Sequence, residues 1–158
     1  MRLFLIPVLA LSLFAPAIAH ARAAPAVTVR NATLTSSLKG APTTEGFLVA
    51  INASRAPDRL LAVRCDCAAK VSLHHMWTDR GIMRMRLADG GLALPAHGVL
   101  ALSAGGDHLM FERLSRQLKP GDRVRLTLIF AKAGELKAEA VVRGLPGAMS
   151  PAAMKMSR

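Results

Sequence analysis

Arg123-Val124-Arg125-Leu126-Thr127-Leu128-Ile129-Phe130 alternates along its length, with Val, Leu, Leu and Phe at the even positions and mostly polar residues between them. Period-two alternation is what a strand with one buried face requires, because successive side chains leave opposite sides of the backbone. A helix would need apolar residues three and four apart. Working outward, short apolar and β-branched runs recur at Val27–Leu34, Gly46–Ala53, Leu60–Cys65, Lys70–Trp77, Gly81–Leu87, Gly98–Leu102, His108–Phe111 and Leu136–Val142. Turn-forming words separate them: Ala56-Pro-Asp58, Asp79-Arg-Gly81, Asp89-Gly-Gly91, Ala104-Gly-Gly-Asp107, Lys119-Pro-Gly-Asp122 and Ala133-Gly-Glu135. Many short strands between Gly-, Pro- and Asp-rich turns predict an all-β, antiparallel β-sandwich in a single domain.

The ends of the chain read differently. Arg2 precedes a nearly unbroken apolar run from Leu3 to Phe14, followed by small-x-small sites at Ala17-Ile-Ala19, Ala19-His-Ala21 and Ala21-Arg-Ala23. This is the pattern of a secretory signal peptide over residues 1–23, cleaved after 19, 21 or 23, and the run is short for a membrane span. A sandwich over residues 24–143 and a Met-rich tail over residues 144–158 complete the expected organisation. An exported protein, without a membrane span once the leader is removed, is expected in the periplasm, across the inner membrane.

The formal net charge is +11. Lysines and arginines are scattered and aromatic residues are few, so nucleic acid is an unsuitable partner for an exported chain of this kind. A solvated basic surface, or an acidic protein partner, accounts for the charge. Nothing resembles a nucleophile elbow, a phosphate-binding glycine loop or a helical zinc motif, and no enzymatic activity is expected.

The chemistry concentrates between residues 74 and 110. Ten residues separate His74 from Met85, twenty-two separate Met85 from His108, and Met110 follows His108 by two. Imidazole and thioether are soft, neutral donors that suit Cu(I), whereas oxygen donors would suit Mg or Ca. If Leu109 and Phe111 face a core, His108 and Met110 face the other way together. The same test places Ser72, His74 and Met76 on one face of their strand and Val71, Leu73, His75 and Trp77 on the other. His74 is then expected outside the core, with His75 inside or at its rim. Met85 shares a face with Met83 and Leu87, opposite Arg84 and Arg86, so periodicity alone makes Met85 and Met83 core residues.

The words around these residues are Val71-Ser-Leu-His74, Gly81-Ile-Met-Arg-Met85-Arg, Gly105-Gly-Asp-His108-Leu-Met110 and Leu118-Lys-Pro-Gly-Asp122, in that order. Together they resemble the periplasmic copper chaperones of the PCuAC family, from about Gly46 to Val142. The resemblance implies a cupredoxin-like, Greek-key β-sandwich that binds Cu(I) at an exposed site through His74, Met85, His108 and Met110. It further implies delivery to a copper-accepting protein, such as cytochrome c oxidase subunit II at its dinuclear centre or another periplasmic copper chaperone. The chain departs from the family's pattern in a Met85–His108 interval one residue longer, and in having His75 where an acidic residue is common.

Auxiliary ligands are open to several readings. Cys65-Asp-Cys67 lies outside the family motif, and a C-x-C pair in an extended strand needs a local turn before its sulfurs can join. The pair could add thiolates to the copper site, sequester copper separately, or serve a thiol–disulfide reductase, although C-x-C lacks the helix-start setting that activates C-x-x-C. His75, and Met149, Met154 and Met156 of the tail, are further auxiliary candidates.

Overall fold

The computed structural model describes residues 26–144, which form ten strands. They are β1 (Val27–Thr35), β2 (Thr43–Asn52), β3 (Asp58–Cys65), β4 (Ala68–Asp79), β5 (Ile82–Leu87), β6 (Leu92–Leu94), β7 (Val99–Ala101), β8 (His108–Leu114), β9 (Arg123–Phe130) and β10 (Gly134–Arg143). Their order is β5-β4-β8-β2-β1-β10-β9-β3-β6, with β7 added beside β2. Every neighbouring pair is antiparallel except β1 and β10, which run parallel from Thr33 opposite Val141 to Thr35 opposite Arg143.

One continuous sheet becomes two layers because β2 changes partner along its length. Its first residues, Thr43 to Gly46, pair with β8, and Val49 to Ile51 pair with β7. Residues from distant parts of the strand order then share one core: Leu109 and Phe111 of β8 join Leu60 of β3, Leu94 of β6, and Leu126 and Leu128 of β9. The alternation of β9 is realised as read, with Val124, Leu126, Leu128 and Phe130 buried and Arg123 and Arg125 exposed. The three-residue β6 has too little sequence for a period to register. Gly46 is required by this packing, since a Cβ there would lie 2.5 Å from Cε2 of Phe111.

The β4–β5 hairpin positions the residues of interest. Its loop is Arg80-Gly81, with φ of 49° and 81°. Positive φ at both central residues is the type I′ geometry, whose twist matches that of paired strands. A two-residue loop leaves no slack in register: Asp79 opposes Ile82, Met76 opposes Met85 and His74 opposes Leu87. A slip of one residue would turn Met85 to the other side. Among the described residues, no helix is long and apolar enough to cross a membrane.

Candidate metal centre

Directly paired residues of adjacent strands share a face of the sheet. His74 opposes His108, and Ser72 opposes Met110, across β4 and β8. With the β4–β5 register, this places Ser72, His74, Met76, Met83, Met85, His108 and Met110 on one face, opposite the Leu109–Phe111 core face.

Three of the four residues singled out in sequence converge. Nδ1 of His74 lies 3.1 Å from Sδ of Met85. The rings of His74 and His108 meet edge to face with centroids 5.3 Å apart. Met110 shares their face but occupies the next register position, and lines a groove with Thr44, Glu45 and Leu38 on the side of β2.

Hydrogen bonds assign the proton on each imidazole. Nδ1 of His108 donates to the carbonyl of Gly106 at 2.9 Å. The Nε2 lone pair of the neutral ring is therefore bare, and this atom is buried with no hydrogen-bond partner among the described residues. A buried polar atom left in that state costs about 1–3 kcal/mol, so its occurrence points to a ligand. The Ser72 hydroxyl donates to Oε1 of Glu112 at 2.7 Å. Its proton being committed, Oγ of Ser72 accepts from Nε2–H of His74 at 3.2 Å. That leaves Nδ1 of His74, the nitrogen against Met85, as the bare one. A hydrogen bond on one ring nitrogen that frees and orients the other is how metal-binding histidines are held.

Charge follows the same arrangement. Burial lowers the pKa of His74 below its ordinary 6.5, as do His108 and Lys70, while Glu112 opposes them. The Ser72 hydroxyl and Lys70 hold the Glu112 carboxyl below its ordinary value, keeping it an acceptor. Burial thus favours an uncharged His74 ring beside the Met85 thioether.

Several expectations from periodicity are corrected. His74 lies on the face away from the main core, as expected, yet it is buried there, with 9% of its surface exposed. His108 is 1% exposed although it faces away from the main core. His75 takes the rim position of the two expected for it: it is half-exposed, donates from Nδ1 to Oδ1 of Asp107 at 2.6 Å, and stacks on Trp77. Met83 and Met85 are not core residues, being 57% and 51% exposed. The reason is common to these residues. Alternation tells which side of a strand a residue takes, but not whether that side is covered. All six residues of β5 are exposed, so neither of its faces is covered by the opposite layer, while its Met85 lies against His74.

Cys65 and Cys67 are joined in a disulfide across the turn between β3 and β4, their Cα atoms 5.2 Å apart. Asp66 supplies the local turn that an extended strand lacks. From Ala68, the first residue of β4, to His74 is six residues, or about 20 Å of extended chain. The leader and Met149, Met154 and Met156 lie outside the described residues. Sequence reasoning missed Ser72 and Glu112, whose Ser-x-His spacing is too ordinary to stand out without the β4–β8 register.

The LpqE-like family model, described as "Putative lipoprotein LpqE-like", matches residues 27–142. A relative from Leifsonia xyli subsp. xyli, named "Putative lipoprotein Lxx21020", is 31% identical over 81 residues, which are 51% of this chain and 49% of that protein. The match thus spans about half the relative's length. Among solved structures, a copper-bound PCuAC domain from PmoF2 superposes with a TM-score of 0.65 at 23% identity, covering 76% of this chain and 94% of that one. The solution structure of CuI-DR1885 from Deinococcus radiodurans has a TM-score of 0.61 at 30% identity, covering 79% and 83%. Apo-DR1885 from the same organism gives 0.60 at 28%, covering 92% and 97%. The architecture is that of the cupredoxin-like PCuAC β-sandwiches, and the chain belongs to the LpqE-like family, which is related to them.

Proposed function

We propose that this chain is an exported copper chaperone that binds Cu(I) through His74, Met85, His108 and Met110 and passes it to an acceptor protein. The observation that carries the reading is the convergence of Nδ1 of His74, Sδ of Met85 and the His108 ring, three residues distant in sequence, with both imidazoles presenting a bare nitrogen. Two neutral nitrogens and a thioether fit Cu(I) in chemistry, and Cu(I) accepts low coordination numbers. The similarity to the copper-bound PmoF2 domain and to CuI-DR1885 supports the choice of metal. Met110 completes the set by rotating from its groove toward His108, two residues away on the same face.

The arrangement suits delivery. Imidazole and thioether bind without releasing a proton, so copper can leave without one being returned. Met85 is exposed, so an acceptor's thiolate or imidazole can replace it while the two buried histidines still hold the ion. Delivery to the dinuclear centre of cytochrome c oxidase subunit II, or to another chaperone, in the periplasm is the assignment that the family resemblance supports. The lipoprotein names of the relatives agree with export. Thiol–disulfide chemistry or copper sequestration at Cys65 and Cys67 has less support, because the pair lies at the far end of β4.

Anaerobic titration with Cu(I) against a competing chelator tests the assignment, using the wild type, Met85→Ala/Met110→Ala and Cys65→Ser/Cys67→Ser. One tight equivalent, lost with the methionines and kept without the cysteines, is expected. Binding that survives methionine loss and vanishes with the cysteines would overturn it.

A further inference from the structure

All four methionines among the described residues, Met76, Met83, Met85 and Met110, lie on the single face that carries His74 and His108. Two of them belong to the ligand set already argued, while Met76 and Met83 have no role in it. Met76 directly opposes Met85 and is half-buried beside it. Met83 is two residues beyond Met85 on the same side of β5, and more than half exposed.

Met83 also reaches the other flank of the site. A Cβ built on Gly105 would lie 4.0 Å from the Met83 methyl carbon. Gly105 belongs to the loop that leads into β8, whereas Met83 is on β5, and β4 separates these two strands in the sheet. The Met83 methyl and the Gly105 loop therefore come together although β4 lies between their strands, with Met83 on the face that holds His74 and Met76. The methyl ends beside the loop whose next residue, Gly106, holds Nδ1 of His108. Ile82 and Leu87 are exposed on this strand as well, but Met83 differs from them in offering a soft thioether donor on the face of Met85 and the half-buried Met76.

Resting on the copper-chaperone reading, we propose that Met83 is an outer Cu(I) ligand, the station at which the ion is exchanged between the buried site and a partner. On entry, the Met83 sulfur lone pair forms a bond to Cu(I) as a donor ligand is released; Met85, His74 and His108 then displace it inward. Delivery is the reverse. Copper stays in the +1 state throughout, and no proton moves, because every thioether in the path is neutral. The other participant is a soft-ligand Cu(I) carrier, represented in the test by a Cu(I)–bicinchoninate chelate. The half-buried Met76, paired with Met85, flanks the path on β4.

The experiment is methyl NMR on the whole chain labelled at the methionine Cε with carbon-13, titrated anaerobically with Cu(I), with Met83→Leu to assign its resonance. Stopped-flow uptake from Cu(I)–bicinchoninate is measured on both proteins. Movement of the Met83 methyl together with that of Met85, and uptake slowed by about tenfold in Met83→Leu while equilibrium affinity holds within about threefold, is the expected result. An unmoved Met83 methyl, or uptake at the wild-type rate, would overturn the exchange role while leaving the copper site intact. Failure of every methionine methyl to respond, with no uptake by the wild type, would instead remove the chaperone reading and this inference with it.

Discussion

The hydroxyl of Ser72 donates to Glu112 across the β4–β8 pair, and this decides which nitrogen of His74 carries a proton. Without that bond Ser72 could donate to His74 instead, and the bare nitrogen would turn from Met85. Ser72→Ala and Glu112→Ala are expected to weaken Cu(I) binding by about tenfold each, the usual scale for residues that orient a metal ligand. A double variant that is no worse than either single one would show that they act as one unit. Chelator competition measures all three, with Ser115→Ala, just beyond the far end of β8, as the control.

His108 sets stability against binding. Its buried Nε2 is unsatisfied, so an apolar replacement removes a desolvated lone pair as well as a proposed ligand. His108→Leu is expected to leave the unfolding free energy of the metal-free protein within about 1 kcal/mol of wild type, or to raise it. Cu(I) affinity should fall by about a hundredfold or more, since one tenfold step needs only about 1.4 kcal/mol. Urea unfolding and copper competition on the same sample separate the two effects.

The lowered pKa of His74 gives the pH dependence its direction. As pH falls below 6.5 an unfolded chain takes up the proton first, because the folded ring resists it. The unfolded state then binds more protons, so the contribution to stability is complete above pH 6.5 and is lost as pH falls from 6.5 through the folded pKa. Copper binding follows the ring and should persist below pH 6.5 before protonation displaces the ion. Histidine NMR of the metal-free protein locates the His74 midpoint, and a midpoint above 6.5 would contradict the burial argument.

Gly46 gives a test of the fold that leaves the site's donors untouched. A methyl group there meets the edge of the Phe111 ring at 2.5 Å, and the carbonyl of Thr33 lies 3.4 Å away. Gly46→Ala is expected to destabilise the protein by about 1–3 kcal/mol through overpacking. Thermal unfolding should show the loss, and Gly46→Ala/Phe111→Leu should recover part of it.

The sequence carried the strands, because a chain that buries one face of a sheet must alternate, and Arg123–Phe130 does so without a break. It also carried the candidate donors, since His74, Met85, His108 and Met110 are chemically distinct from their surroundings. The pairing of His108 with Met110 on one side needed only a strand's period of two.

What tertiary structure decided was coverage and register. Periodicity assigned Met83 and Met85 to a core, yet β5 is an edge strand and exposes both, while His74 on an outward face is buried. A strand's side is a local property, but its burial depends on which distant segments lie over it. Met85 meets His74 because a two-residue turn at Arg80-Gly81 locks the hairpin register, and Ser72 meets Glu112 because β4 lies beside β8. The candidate donors were therefore written in single residues. The proton on His74, the bare nitrogen of His108 and the reach of Met83 to Gly105 arise only where strands far apart in sequence are brought side by side.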